Sequence, residues 1–210
     1  MSYAVKEIYT TLQGEGAQTG MRAVFLRFAG CNLWTGREQD REAAVCRFCD
    51  TDFVGMDGPG GGRFADAAAL ADAVAAGWGP GEAHRLVVAT GGEPLLQLDG
   101  CAIAALKARG FRVAVETNGT VAAPPGIDWI CVSPKAGAAT VQRRGDELKL
   151  VFPQPELMPP AVDGWDFAHF FLQPMDGPAQ AENIQAAIAF CLANPRWRLS
   201  LQTHKLTGIP

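Results

Sequence analysis

Nowhere in the 210 residues is there a run of lysine and arginine long enough to follow a phosphate backbone. The 18 basic and 22 acidic side chains leave a formal charge of −4, which argues against a nucleic-acid partner. A long apolar run is also missing. The longest nearly apolar stretch, residues 64–77, is interrupted by Asp66 and Asp72 and is too short to cross a bilayer, so no membrane association is expected. The first residues, Met1-Ser2-Tyr3-Ala4-Val5-Lys6-Glu7, lack the apolar core of a secretory leader. The expected compartment is therefore the reducing cytoplasm, and the six cysteines are expected to serve metal binding, catalysis or packing rather than disulfides. There is no internal repeat of the roughly 20 to 50 residues that solenoids use, and nothing marks a second domain. A chain that is 48% hydrophobic can bury one good core, so a single domain over residues 1–210 is expected.

Short β-rich runs occupy residues 22–28, 85–89, 111–116, 128–132, 147–151, 169–172 and 197–201. Most lack clean alternation, as strands buried on both faces do. Helical patterns fit residues 65–76, stopped by Gly77, and 97–109, with Lys107 and Arg109 in the last turn and Gly110 beyond. A third spans 179–192, where Ile184, Ile188, Cys191 and Leu192 share a face between Pro178 and Asn194-Pro195. Alternating strand and helix predicts a largely parallel sheet. Residues 133–146 carry no apolar stripe, so one helix of a regular barrel is missing. The expected fold is α/β, a curved, incomplete parallel (β/α) barrel with about three full helices. The glycine-rich segment 55–62 reads as a surface loop.

Cys31 follows a strand and Gly30, and Cys46 and Cys49 form a C-x-x-C fourteen residues later, after a charged segment that reads as a solvated insertion. Three thiolates without a local fourth ligand suit an iron–sulfur cubane with one open iron better than structural zinc, which takes four closed ligands. A C-x-x-C also serves as a zinc knuckle, here with His84 or His204, or as a redox pair. Cys101 and Cys191 fall in helical patterns and Cys131 in an apolar strand, so these three read as core. Thr90-Gly91-Gly92-Glu93-Pro94, Glu116-Thr117-Asn118-Gly119-Thr120 and Ser133-Pro134-Lys135 each follow a strand, where barrels place active sites.

Together, Cys31, Cys46-Arg47-Phe48-Cys49, Gly91-Gly92-Glu93-Pro94, Glu116 and Ser133-Pro134-Lys135 resemble the radical S-adenosylmethionine superfamily, with C-x14-C-x2-C in place of the usual C-x3-C-x2-C. Within it, Gln13-Gly14-Glu15-Gly16, Cys49-Asp50-Thr51 and Gln173-Pro174-Met175-Asp176 are similar to the 7-carboxy-7-deazaguanine synthase family. The resemblance implies a lyase that contracts 6-carboxy-5,6,7,8-tetrahydropterin to 7-carboxy-7-deazaguanine with loss of ammonia, on the way to queuosine in tRNA and related deazapurines. It implies a 4Fe-4S cluster on Cys31, Cys46 and Cys49, S-adenosylmethionine as cofactor, and magnesium on Thr51.

It also implies S-adenosylmethionine contacts from Phe48, Gly92, Glu116, Asn118, Ser133, Lys135, Gln173 and Asp176. Substrate contacts would come from Leu12, Gln13, Gly14, Glu15, Arg27, Thr90, His204 and Pro210. In this scheme Arg27 pairs with the pterin carboxylate, Gln13 and Glu15 read the guanine-like edge, and the carboxylate of Pro210 folds over the barrel mouth. The partners implied are a small-molecule pterin, a flavodoxin-type electron donor and a second copy in a homodimer. A glycyl-radical activating enzyme and a zinc-binding structural module are the competing readings.

Overall fold

The computed structural model describes residues 2–210, and all its strands join one nine-stranded sheet in the order β3-β1-β2-β4-β5-β6-β7-β8-β9. They are β1 (Tyr3–Leu12), β2 (Arg22–Phe28), β3 (Gly62–Phe64), β4 (Leu86–Gly91), β5 (Arg112–Thr117), β6 (Trp129–Val132), β7 (Arg144–Phe152), β8 (Asp166–Pro174) and β9 (Trp197–Leu199). Every pairing from β2 across to β9 is parallel. Only β1 is antiparallel, to β2 on one side and β3 on the other. The sheet does not close between β3 and β9 among the described residues, in agreement with the expected incomplete barrel. No helix of the described residues is long and apolar enough to cross a membrane.

Three full helices and one short one follow: α1 (Ala67–Trp78), α2 (Gly100–Ala108), α3 (Gln180–Ala193) and α4 (Thr203–Thr207). Asp66 and Asp99 cap α1 and α2, accepting from the Ala69 and Ala102 amides at 2.9 and 2.8 Å. Asp99 also accepts from the Tyr3 hydroxyl at 2.8 Å, which ties α2 to β1. Gly77 does not stop α1 as expected: the helix continues to Trp78 and ends at Gly79, whose φ of 79° no larger residue adopts easily. In α3 Ala187, Phe190 and Cys191 pack against the sheet, Ile184 and Ile188 are half-buried, and Leu192 is 81% exposed. Eight residues on from Ile184, Leu192 has drifted about 80° around a 3.6-residue helix and off the buried stripe.

Alternation along the strands divides the sheet into two unlike faces. Val24, Leu26 and Phe28 of β2, Val87 and Ala89 of β4, and Val113 and Val115 of β5 pack on α1 and α2. Leu148, Leu150 and Phe152 of β7 with Leu172 of β8 pack near Ala187 of α3. The intervening residues point inward, and Ala23, Phe25, Leu86, Val88 and Ala114 plug the lower end of that inner face. Cys131 is buried as expected, but Cys101, expected in the core, is exposed on α2.

The residues of β1 were not expected to form a strand, because a bulge between Val5 and Glu7 breaks its period of two. The segment 55–62 is the turn-rich, largely exposed loop expected. It lies along β1, with the Ile8 amide donating to the Pro59 carbonyl at 2.7 Å and the Gly58 amide to the Lys6 carbonyl at 3.0 Å. Lys6 adds ion pairs to Asp57 and Asp52 at 2.8 and 2.9 Å.

A Cβ on Gly61 would come within 2.2 Å of the Lys6 carbonyl oxygen, whereas one on Gly100, in the first turn of α2, meets nothing within 4 Å. Gly61→Ala should therefore destabilise the protein by about 1–3 kcal/mol, and Gly100→Ala should stabilise it by about 0.4–1 kcal/mol. Urea midpoints of the two variants against the parent check both signs.

Candidate active site

The carboxyl ends of the strands and the loops beyond them enclose a cavity of about 530 Å³. Its wall is built from inward-facing residues: Glu7, Tyr9 and Thr11 of β1, Arg27 of β2, Glu116 of β5, Lys149 and Val151 of β7, and Gln173 of β8. Cys31, Cys46 and Cys49 reach the same cavity from the loop after β2.

The charged segment of that loop is largely exposed, as expected of a solvated insertion, and it is braced internally. Arg41 stacks 4.0 Å from the centre of the Trp34 ring and donates to the carbonyls of Arg47 and Cys49 at 2.8 and 3.0 Å. The backbone carrying the C-x-x-C is thus braced from within the insertion. The neighbouring Cys46 thiol brings Cys49 below the usual thiol range, while burial pushes Cys31 up. Among the described residues no three His, Cys, Asp or Glu side chains are gathered closely enough to hold a single metal ion. Three soft sulfur donors on one cavity wall fit an iron–sulfur cluster, which spans a wider ligand set than one zinc ion.

Glu93 ties two strand ends together. It is fully buried and accepts from the Leu95 amide at 2.9 Å, the Thr117 hydroxyl at 2.8 Å and the Asn118 amide at 2.7 Å. Burial pushes its carboxyl up, and these hydrogen bonds oppose the rise. A Cβ at Gly92 would lie 2.2 Å from the Gly30 carbonyl oxygen and 2.7 Å from Cys31 Cβ, so only glycine lets this turn lie against the cysteine loop.

On the opposite wall Lys149 pairs with Glu15, and with Glu116 at 3.4 Å. Gln13 donates to Glu116 at 3.0 Å and accepts from the Glu15 amide at 3.1 Å. Arg27 donates to Glu7 at 2.8 Å and to the Tyr9 hydroxyl at 3.0 Å. Lys135 curls back onto Ser133, donating to its hydroxyl at 2.7 Å and its carbonyl at 2.6 Å. The end of the chain folds over the mouth. The Thr203 amide donates to the Gly14 carbonyl at 3.1 Å, Thr11 donates to a Pro210 oxygen at 2.9 Å, and Lys205 bridges Asp50 and Asp176 at 2.5 Å each.

No family model matches the chain, but curated relatives do. It is 66% identical over 210 residues to the 7-carboxy-7-deazaguanine synthase of Bordetella pertussis, 65% over 210 to that of Caulobacter vibrioides and 59% over 210 to that of Burkholderia multivorans, with 100% of each chain covered. The chain belongs to the 7-carboxy-7-deazaguanine synthase family. The crystal structure of QueE from Escherichia coli superimposes with a TM-score of 0.69 at 25% identity, covering 96% of this chain and 94% of that one. Membership in a family of radical S-adenosylmethionine enzymes displaces the readings of the chain as a glycyl-radical activase or a zinc module. His84, offered as a zinc ligand, precedes β4 at the opposite end of the strand from Gly91.

All residues assigned from the family resemblance line this one cavity, from Leu12 and Gln13 to His204 and Pro210. Sequence reasoning missed Glu7 and Tyr9, because β1 was unread, and Lys149, although the alternation Glu147-Leu148-Lys149-Leu150 signals a strand with one charged face. It also missed Lys205 and the role of Glu93 in joining β4 to β5.

Replacing Glu93 by Gln leaves one carbonyl oxygen for three donors and turns an amide NH₂ toward them. Each unsatisfied buried donor costs about 1–3 kcal/mol. Glu93→Gln should lower the urea midpoint of cluster-free protein by a loss in that range or above it, while Glu82→Gln, at an exposed position, leaves the midpoint unchanged.

Proposed function

We propose that this chain performs the radical ring contraction of 6-carboxy-5,6,7,8-tetrahydropterin to 7-carboxy-7-deazaguanine with loss of ammonia, acting as one domain over its length. The observation that carries the proposal is that Cys31, Cys46 and Cys49 share a single cavity with Arg27, Glu15 and the chain's last residue. The thiols that would hold a radical-generating cluster and the side chains that would recognise the pterin would thus face the same volume. The full-length identity to synthases of that name supports the same reading.

When bound, a 4Fe-4S cluster on the three thiols and S-adenosylmethionine would supply a 5′-deoxyadenosyl radical for hydrogen abstraction at C6 of the pterin. The protein's part is to bind and orient. Gly92 presents backbone to the methionyl amino group, while Phe48, Glu116, Asn118, Ser133, Lys135, Gln173 and Asp176 hold the rest of the cofactor. Arg27, fixed by Glu7 and Tyr9, turns its guanidinium to the pterin carboxylate. Leu12, Gln13, Gly14, Glu15, Thr90, His204 and Pro210 enclose the ring system. Thr51 offers one hydroxyl to magnesium, an ion that keeps waters and takes substrate oxygens. The neighbouring carboxylates support that sparse site, since Asp50 is engaged by Lys205 and Asp52 by Lys6. A flavodoxin-type donor, a homodimer and a cytoplasmic setting complete the proposal.

The deciding assay is anaerobic: reconstituted protein, S-adenosylmethionine, reductant and the carboxy-tetrahydropterin, with mass analysis for the deazapurine. Absence of product under these conditions rejects the reading. Cys31→Ala, Cys46→Ala and Cys49→Ala should each lose the cluster's iron and visible absorbance, and Cys101→Ala should keep both. Arg27→Ala should raise KM for the pterin by an amount equivalent to about 2–5 kcal/mol, leaving KM for S-adenosylmethionine near the parent value. Thr51→Ala should blunt the activation by magnesium without changing iron content, and an unchanged magnesium response would remove Thr51 from the ion.

A further inference from the structure

Lys149 is a buried cation that neither the cluster nor the cofactor scheme uses. It is 4% exposed, projects inward from β7 at the cavity wall, and has carboxylates of two other elements against its ammonium, Glu15 from the turn after β1 and Glu116 from β5. Gln13 is locked into the same group, its NH₂ on Glu116 at 3.0 Å and its carbonyl oxygen on the Glu15 amide at 3.1 Å. We propose that Lys149 is a positioning residue for substrate recognition. Its ammonium holds Glu15 at the cavity wall as a pure hydrogen-bond acceptor for the N–H donors of the pterin's amino-pyrimidinone edge. This deepens the pterin reading above and rests on it.

The chemistry of the two ends of the cavity supports the assignment. Arg27, paired through its Nε with Glu7, presents its guanidinium at the β2 side, suited to a carboxylate. The Glu15–Glu116–Lys149 group has one more anion than cation, suited to a ring edge that presents an amino group and a ring N–H and no formal charge. An ionised carboxylate accepts at both oxygens, whereas a protonated one turns a donor toward those groups. The charged and titratable groups facing Lys149 are Glu15, Glu116, Glu147, the Cys131 thiol and, across the cavity, Lys135. Glu147 is directed away, accepting from the Ala17 amide at 3.0 Å. Burial pushes the Glu15 carboxyl up, and the Lys149 charge with hydrogen bonds from Gln173 and Gln202 brings it below the usual carboxylate range. With its folded value depressed, Glu15 stays ionised across neutral pH. Without Lys149 burial governs, and Glu15 takes up a proton as the pH falls.

The test is equilibrium binding of 6-carboxypterin, and separately of S-adenosylmethionine, to anaerobic holoenzyme between about pH 6 and 8.5, spanning the range above an ordinary carboxylate. The parent should bind the pterin with a flat profile. Lys149→Met should weaken pterin binding about tenfold at the acidic end, with the deficit shrinking as pH rises and S-adenosylmethionine affinity within about twofold. Lys149→Arg should restore the flat profile. On a Glu15→Gln background, Lys149→Met should add less than about twofold, since the two residues then act through one interaction.

A pH-independent loss, an equal loss of S-adenosylmethionine affinity, or full additivity with Glu15→Gln would overturn the assignment. Should Lys149→Met fail to fold or load its cluster, the parent and Lys149→Arg decide. Flat profiles in both support the assignment, and a fall of either toward acid overturns it. If the parent binds no 6-carboxypterin at any pH, the pterin reading has failed instead.

Discussion

A sheet covered by helices on only one side must find another use for its second face, and here that face carries Glu7, Arg27, Glu116, Glu147 and Lys149 in alternate strand positions. Charges taken out of bulk water are tolerated when paired and are costly when left alone. The strands are therefore held in register by two incompatible requirements. Leu148 and Leu150 must meet the layer beneath α3, and Glu147 and Lys149 must meet carriers of opposite charge or hydrogen-bond donors. A slip of one residue would exchange the two sets, placing ammonium and carboxylate groups against helices and leucines in the cavity. The same alternation that builds the core thus lines the site.

The site is then finished by elements that the sheet does not supply. Glu93 joins the ends of β4 and β5 through three buried hydrogen bonds, fixing two of the turns on which a ligand would rest. Arg41 braces the cysteine loop through backbone carbonyls. Lys205 draws α4 down onto Asp50, beside Cys49, and onto Asp176 after β8. The Glu93 and Lys205 contacts link segments far apart in sequence, whereas the Arg41 brace is local, so the walls of the cavity depend on the completed fold as well as on the cysteine loop itself.

The parallel core was legible because its strands are apolar and its helices carry ordinary stops and caps. What escaped detection did so for identifiable reasons. A bulge between Val5 and Glu7 inserts one extra residue into β1 and breaks its alternation, and with β1 unread, Glu7 and Tyr9 had no place in the site. Gly77 reads as a helix stop, but the α1 backbone passes through it to Gly79. The motifs Gln13-Gly14-Glu15-Gly16 and Gly91-Gly92-Glu93-Pro94 mark which turns matter. They do not reveal that Gln13 is oriented by Glu116, or that Glu93 faces inward to Thr117 and Asn118. Long-range partners of this kind leave no local pattern, and Lys149 is the clearest example. Its strand is readable, but its two carboxylates lie 33 and 134 residues away.

The buried group of Glu15, Glu116 and Lys149 also constrains how this chain can change over generations. Removing Lys149 leaves two carboxylates enclosed in the wall without their cation, so that single step crosses a state that is worse than either end. Drift toward a ligand with a different edge would require compensating substitutions on β5, β7 and the turn after β1 close together in time, while the exposed residues of α3 and the tip of the cysteine loop remain free to vary one at a time.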